Sequence, residues 1–304
     1  MGKIAFVFAG QGAQYSGMGK ELYENSPAAK AVFDSCDAIR PGTSTLCFSG
    51  TNEELSLTIN TQPALFAMDL ACATAVTEVG IHPNFVAGFS LGEIPALAYS
   101  GILDFENAFR LVCKRAELMQ SCAEENKGTM VAVLRLENET IETICHEFEH
   151  AYPVNYNCPS QTVVACSLSE LEALCSRIAE CGGKTIPLSV SGAFHSPFME
   201  NASIGLAEYL KTIPLAKPII PIFSNVTASR YDKDCAELIA KQVKSPVKWE
   251  QLIRNLIADG TDTFIEVGAG KTLSGLIRKT SKDVSVYNIE TFSGLSLLKE
   301  KILC

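Results

Sequence analysis

The sequence predicts an α/β fold, and three observations predict it. Apolar runs of strand length alternate with longer stretches of helical periodicity. Hydrophobic residues make up 47% of the 304 and charged residues 19%, which suits a substantial buried core and excludes a disordered or collagen-like chain. Between residues 128 and 189 the rhythm shifts to shorter runs, which marks an inserted unit.

The elements follow in order. Residues 4–9 are wholly apolar and read as a buried first strand, residues 62–79 as a buried helix and residues 85–88 as a short strand. Residues 90–99 and 106–120 read as helices; Pro95 lies one turn into the first and makes its start irregular. Residues 129–136 are strand-like. Residues 140–148 carry apolar side chains at 141, 144, 145 and 148, a helical spacing. Two short strands, 152–156 and 162–166, are separated by the turn-rich Asn157-Cys158-Pro159-Ser160. Residues 167–179 are helical, with Ser167 as cap and Glu170 three residues on; Gly182-Gly183 ends that helix and 185–190 is the next strand. The order β-α-β-β-α-β is the ferredoxin-like pattern. Residues 263–267, 271–279 and 284–287 read as strand, helix and strand. The expected division is a large α/β subdomain, 1–127 and 191–304, with a parallel-sheet core, and a small ferredoxin-like (βαββαβ) subdomain, 128–190.

Charge and composition exclude several functions. A formal net charge of −9 argues against bulk nucleic-acid binding, which needs a basic footprint. The most apolar stretch, 64–76, is interrupted by Asp69 and is shorter than a bilayer requires. The start of the chain lacks a signal-peptide pattern, Phe6 stands where a myristoylation motif wants Ser or Thr, and Cys304 does not form a prenylation box. A cytoplasmic protein is expected. The 12 cysteines show no C-x-x-C spacing, so reduced buried thiols are expected rather than a redox or zinc motif.

Gly88-Phe89-Ser90-Leu91-Gly92 matches G-x-S-x-G between a strand and a helix. Such a serine sits on a sharp turn, the glycines admit close backbone approach, and the helix that follows aims free N–H groups at the reacting oxygen. A serine needs a base. Of the four histidines, His195 lies in the small-residue turn Ser191-Gly192-Ala193-Phe194-His195-Ser196-Pro197, which can present an imidazole, whereas His82 precedes Pro83 in a loop. No aspartate declares itself as the third member; Asp104 and Glu106 are near in sequence, and a backbone carbonyl can orient the ring instead. On the 105–120 helix, Arg115 falls at the margin of the apolar stripe. A partly buried guanidinium there either lays its stem on the core and reaches water, or forms a fork for a substrate carboxylate.

Two motifs are decoys. His146-Glu147-Phe148-Glu149-His150 is a literal H-E-x-x-H, but Ile141, Ile144, Cys145 and Phe148 define the buried face and the histidines fall opposite, so no metal site is expected. Gly270-Lys271-Thr272 resembles the end of a phosphate loop, yet Ile265 stands where the first glycine is required.

Taken together, the chain resembles the malonyl-CoA:acyl carrier protein transacylase family of bacterial fatty acid synthesis. The resemblance runs through Phe8-Ala9-Gly10-Gln11-Gly12, Thr61-Gln62-Pro63, Gly88-Phe89-Ser90-Leu91-Gly92-Glu93 and Arg115-Ala116-Glu117. It continues through Asn155-Tyr156-Asn157, Gly192-Ala193-Phe194-His195-Ser196, Ser224-Asn225-Val226-Thr227, residues 242–249 and Glu266-Val267-Gly268-Ala269-Gly270-Lys271. It implies a hydrolase-like α/β body, Ser90 as acylated nucleophile and His195 as its base. It further implies an oxyanion hole from the backbone N–H groups of Gln11 and Leu91, Arg115 as the malonyl carboxylate clamp, and Gln242 orienting His195 through its carbonyl. No cofactor is implied, because the coenzyme A thioester is a substrate. The partners implied are malonyl-CoA and the phosphopantetheine arm of acyl carrier protein, with the chain acting as a monomer and without nucleic acid or membrane. The family usually has His where this chain has Phe89, so acyl preference or rate is expected to differ there. A polyketide-type acyltransferase, a serine thioesterase and a non-catalytic carrier-protein docking module are the alternatives. Lys184, Lys244, Lys248, Lys271, Arg278 and Lys279 are candidates for a basic docking surface.

Overall fold

The computed structural model describes residues 2–303. The strands are β1 (Lys3–Phe8), β2 (Phe85–Gly88), β3 (Gly128–Leu134), β4 (Ala151–Cys158), β5 (Gln161–Ser167), β6 (Lys184–Pro187), β7 (Ile222–Phe223), β8 (Thr261–Val267) and β9 (Ser285–Ile289). They form two sheets. One is five-stranded and parallel throughout, in the order β7-β2-β1-β8-β9; the other is four-stranded and antiparallel, in the order β4-β5-β3-β6.

The parallel sheet is covered on both faces, and β1 shows why its sequence is apolar without interruption. Ile4, Phe6 and Phe8 point into a core shared with the Thr58–Glu78 helix, while Ala5 and Val7 point into a second core with Trp249, Leu252 and Ile277. The Thr58–Glu78 helix is buried along nearly its whole length, so it carries no polar face to reveal its period. In the small sheet the alternation separates two cores: Val131, Val133, Val164 and Cys166 face the Asn138–Cys145 and Leu171–Glu180 helices, and Met130, Ala132, Val163 and Ala165 face the body. Its chain order is β3, helix, β4, β5, helix, β6.

Several expected boundaries move. The helix expected from residue 167 begins at Leu171: Ser167 ends β5, and its hydroxyl donates to Glu170 Oε2 at 3.0 Å instead of capping. Glu170 is itself committed to the backbone N–H groups of Glu149 and His150, each at 3.0 Å. The strand expected to run to residue 190 stops at Pro187. The helices within residues 20–56, among them the 13-residue Pro27–Ile39, and the helices Glu200–Leu210, Cys235–Gln242 and Trp249–Ala258 are not among the expected elements. The eleven described cysteines are free and at least half-buried; Cys304 lies outside the described residues. Among the described residues no helix is long and apolar enough to cross a membrane.

Candidate active site

The site gathers at the C-terminal ends of β1 and β2, where an open parallel sheet characteristically forms its crevice. The glycines of the serine motif have steric reasons to be glycine. A Cβ on Gly88 would stand 1.9 Å from the Gly92 backbone, and one on Gly92 would stand 2.2 Å from the Phe8 carbonyl oxygen of β1. The chain therefore folds tightly against β1, and Ser90 is held at φ 53°, in the left-handed region. A 3₁₀ turn, Ser90–Gly92, leads into the Glu93–Ser100 helix; this is the irregular start that Pro95 foretold.

His195 reaches the serine from 105 residues away, with Nε2 2.6 Å from Ser90 Oγ. Its Nδ1 lies 2.9 Å from the Gln242 carbonyl oxygen, and its own backbone N–H donates to Val243 at 2.9 Å. A carbonyl accepts only, so Nδ1 carries the hydrogen and Nε2 is left to accept from the serine. His195 also has a left-handed backbone, φ 61°. Burial, followed by the Arg115 charge, lowers its pKa from 6.5 to about 4, so the ring is neutral at pH 7. Asp104 and Glu106 play no part: Asp104 caps the Phe105–Glu125 helix and Glu106 pairs with Arg110.

Arg115 is fully buried, at 1% exposure, where the sequence suggested partial burial. Its Nη1 donates to Gln62 Oε1 at 2.7 Å and its Nη2 to Gln242 Oε1 at 2.8 Å, with Ser90 Oγ 3.4 Å from the same Nη2. Burial lowers its pKa to about 10, opposed by the charge of Glu93. The Nε hydrogen has no partner among the described residues. A guanidinium with spare donors beside a nucleophile is a ready fork for a carboxylate.

A second tier went unassigned in the sequence. Asn225 accepts the Ser90 N–H at 2.7 Å and donates to the Gly88 carbonyl at 2.6 Å. The Gln242 amide donates to the Ser90 carbonyl at 2.6 Å and to Glu93 Oε2 at 2.8 Å. Gln62, Glu93 and Asn225 all stand within the sequence blocks that carried the resemblance, which was the available signal.

Two cavities flank these residues. One of about 610 Å³ is bordered by His195, Ser196, Tyr152, Tyr156 and Lys244. The other, of about 240 Å³, is lined by Gln11, Phe89, Asn155, Asn157 and Leu273. The Asn155 and Asn157 amide oxygens are buried there without a partner among the described residues. Phe89 meets Trp249 edge-on, centroids 5.4 Å apart, and the buried Trp249 indole N–H has no hydrogen-bond partner among the described residues. No acceptor within the described chain engages the backbone N–H of Gln11 or Leu91.

The decoys have physical explanations. The helix before His150 ends at Cys145, so His146 and His150 share no helical face and both are exposed. The N–H groups of Leu273 and Ser274, which open the Thr272–Thr280 helix, are taken by the Glu266 carboxylate at 2.9 and 2.7 Å, where a phosphate loop would need them free. Of the basic candidates, Lys244 pairs with Glu200 at 2.7 Å, whereas Lys184, Lys248, Lys271, Arg278 and Lys279 are exposed.

Residues 5–298 match the family described as acyl transferase domain. The chain is 41% identical to a malonyl CoA-acyl carrier protein transacylase of Bacillus subtilis (strain 168), with 99% of each chain covered. The solved malonyl CoA-acyl carrier protein transacylase of Clostridium perfringens superposes with a TM-score of 0.96 at 38% identity, covering 99% of this chain and 97% of that one. A type II polyketide acyl-carrier protein in complex with its malonyl-transacylase offers a further match, TM-score 0.93 at 32% identity, covering 98% of this chain and 99% of that one.

Proposed function

The chain belongs to the acyl transferase domain family, and from that premise we propose how its residues move a malonyl group from coenzyme A to the phosphopantetheine thiol of an acyl carrier protein. The enzyme is an acyltransferase that works by ping-pong exchange. The observation that carries the residue roles is a single oxygen: Ser90 Oγ lies 2.6 Å from the His195 Nε2 acceptor and 3.4 Å from Arg115 Nη2.

In the first half-reaction Ser90 Oγ attacks the thioester carbonyl while its proton passes to His195 Nε2. Negative charge develops on the carbonyl oxygen, toward the backbone N–H groups of Gln11 and Leu91. Losing one such donor typically costs about 10²- to 10³-fold in rate. Collapse expels the coenzyme A sulfur, which takes the proton from His195 and leaves a malonyl-serine ester. In the second half-reaction the carrier thiol gives its proton to His195 and attacks that ester, and Ser90 leaves with the proton returned. The Gln242 carbonyl holds the imidazole in the required tautomer throughout. Arg115 grips the free carboxylate, and the unpartnered Asn155 and Asn157 oxygens suit the amide N–H groups of a pantetheine arm. No cofactor is asked for.

The finer architecture belongs to the same reading. Residues 1–127 and 191–304 act as a hydrolase-like subdomain and residues 128–190 as a ferredoxin-like lobe; the strand order and chain order of the small sheet support the second description. The chain acts as a monomer in the cytoplasm. A malonyl-serine ester that persists in water separates this reading from that of a thioesterase, which would hydrolyse it quickly. Mass spectrometry after incubation with malonyl-CoA and, separately, acetyl-CoA tests the reading. A malonyl adduct on Ser90 is expected, with little acetyl adduct; malonyl on any other residue would overturn it.

A further inference from the structure

Glu93 opens its helix at 1% exposure and bonds to neither Ser90 Oγ nor the His195 ring, yet Ser90, His195 and Arg115 are each one partner removed from it, through Gln242. Its Oε1 accepts from the Tyr231 hydroxyl at 2.5 Å, and its Oε2 accepts from the Gln242 amide at 2.8 Å. The Asn225 backbone N–H lies 3.3 Å from both oxygens. Asn225 and Gln242 are the two side chains that bind the Ser90 backbone, one at its N–H and the other at its carbonyl. We propose that Glu93 is a positioning residue for the malonyl site: it holds Gln242 and Asn225 against the nucleophile turn, turns the Gln242 amide oxygen toward Arg115, and stands as the counter-charge against which an incoming carboxylate is weighed. This rests on the function proposed above.

The orientation follows from hydrogen-bond capacity. The Gln242 amide nitrogen faces two acceptors, Glu93 and the Ser90 carbonyl, so its oxygen must face the donor, Arg115 Nη2 at 2.8 Å. A flipped amide would oppose donor to donor at Arg115 and acceptor to acceptor at Glu93. Glu93 therefore sets the guanidinium through one intervening side chain.

Charge links the same groups independently. Tyr231 and Arg115 are the titratable groups acting on Glu93, with Gln242 and the Asn225 backbone as neutral donors; His195 feels Arg115 instead. Burial pushes Glu93 up to about 7, against the pull of Tyr231, Gln242, Asn225 and Arg115. Its carboxylate thus changes charge near neutrality. A malonyl carboxylate at Arg115 adds a second negative charge nearby and is disfavoured while Glu93 is ionised. An acetyl group brings no such charge.

The test is the pH dependence of kcat/KM, from about pH 5 to about pH 9, with malonyl- and acetyl-N-acetylcysteamine, thioesters that carry no titrating phosphate. For wild type, the malonyl value is expected to fall about tenfold as pH rises through neutrality, while the acetyl value does not. Glu93→Gln removes the fall. Tyr231→Phe moves it to higher pH, because the lost hydroxyl favoured the ionised carboxylate. A malonyl fall that persists unchanged in Glu93→Gln overturns the proposal, as does a fall that Tyr231→Phe leaves in place. Should Glu93→Gln fail to fold, the Tyr231→Phe profile decides alone. The two readings fail differently: no malonyl on Ser90 in wild type defeats the proposed function, whereas an adduct with an unmoved profile defeats only the role of Glu93.

Discussion

The parallel sheet and the antiparallel sheet are both packed on two faces, but they serve the site differently. The body that carries the parallel sheet supplies Ser90 from the turn after β2, Arg115 from the Phe105–Glu125 helix, His195 from the loop after β6 and Gln242 from the end of the Cys235–Gln242 helix. The small sheet supplies none of these groups. Its β4 is stitched to the body where Val247 donates to Val154 and accepts from Tyr156, at 2.8 and 3.0 Å, and from there it presents Asn155 and Asn157 to the cavity beside Gln11. The contrast teaches that the reacting groups gather beyond the C-terminal edge of the parallel sheet, while the antiparallel lobe contributes asparagines that line the neighbouring cavity.

The comparison can be broken at graded points. Ser90→Ala should abolish the malonyl adduct and lower transfer by about 10⁴-fold or more, read from the rate of carrier-protein malonylation. Arg115→Ala should lower malonyl transfer by about 10²-fold or more and raise the share of acetyl transfer, since a buried fork matched to a carboxylate is lost. An unchanged malonyl-to-acetyl ratio would rule out the clamp.

The acid limb comes next. Because His195 titrates at about 4 rather than 6.5, the limb of kcat/KM assigned to the base should lie near pH 4. Stability carries the same signature. Between 6.5 and 4 the unfolded chain takes up a proton that the folded one refuses, so the His195 contribution, full above 6.5, shrinks as pH falls and is gone below about 4. Denaturant midpoints across that window for wild type and His195→Gln would show it as a difference in slope. The smallest effect on chemistry should come from the small sheet's own core. Val133→Ala, packed among the lobe's own helices and away from the serine turn, should cost about 2 kcal/mol of stability yet leave kcat within about twofold. A large fall in kcat there would mean that the lobe does more than hold a wall.

Much of this was legible in the residues. The motif around Ser90, the turn around His195 and the marginal position of Arg115 are local signals, and the structure brings all three to one oxygen. The β-α-β-β-α-β order shows in the spacing of short apolar runs. What stayed hidden was contact between distant segments. Glu93 reaches Tyr231 across 138 positions and Gln242 across 149, and no periodicity reports such a pairing. Ser167 imitates a cap because its hydroxyl satisfies Glu170 as well as it would a helix start. The Trp249–Ala258 helix is a different case: Trp249, Leu252, Ile253 and Leu256 form a plain apolar stripe that periodicity alone could have reported.

Ser90 and His195 share one further property, a main chain twisted to the side that only glycine occupies without penalty. Tension of about 1 kcal/mol or more at each is borne by the surrounding fold. Glycine at position 90 would release it while erasing the nucleophile, so the inert protein should outlast its alanine counterpart on heating. Sturdiness and reactivity are thus set against each other at the level of a single torsion.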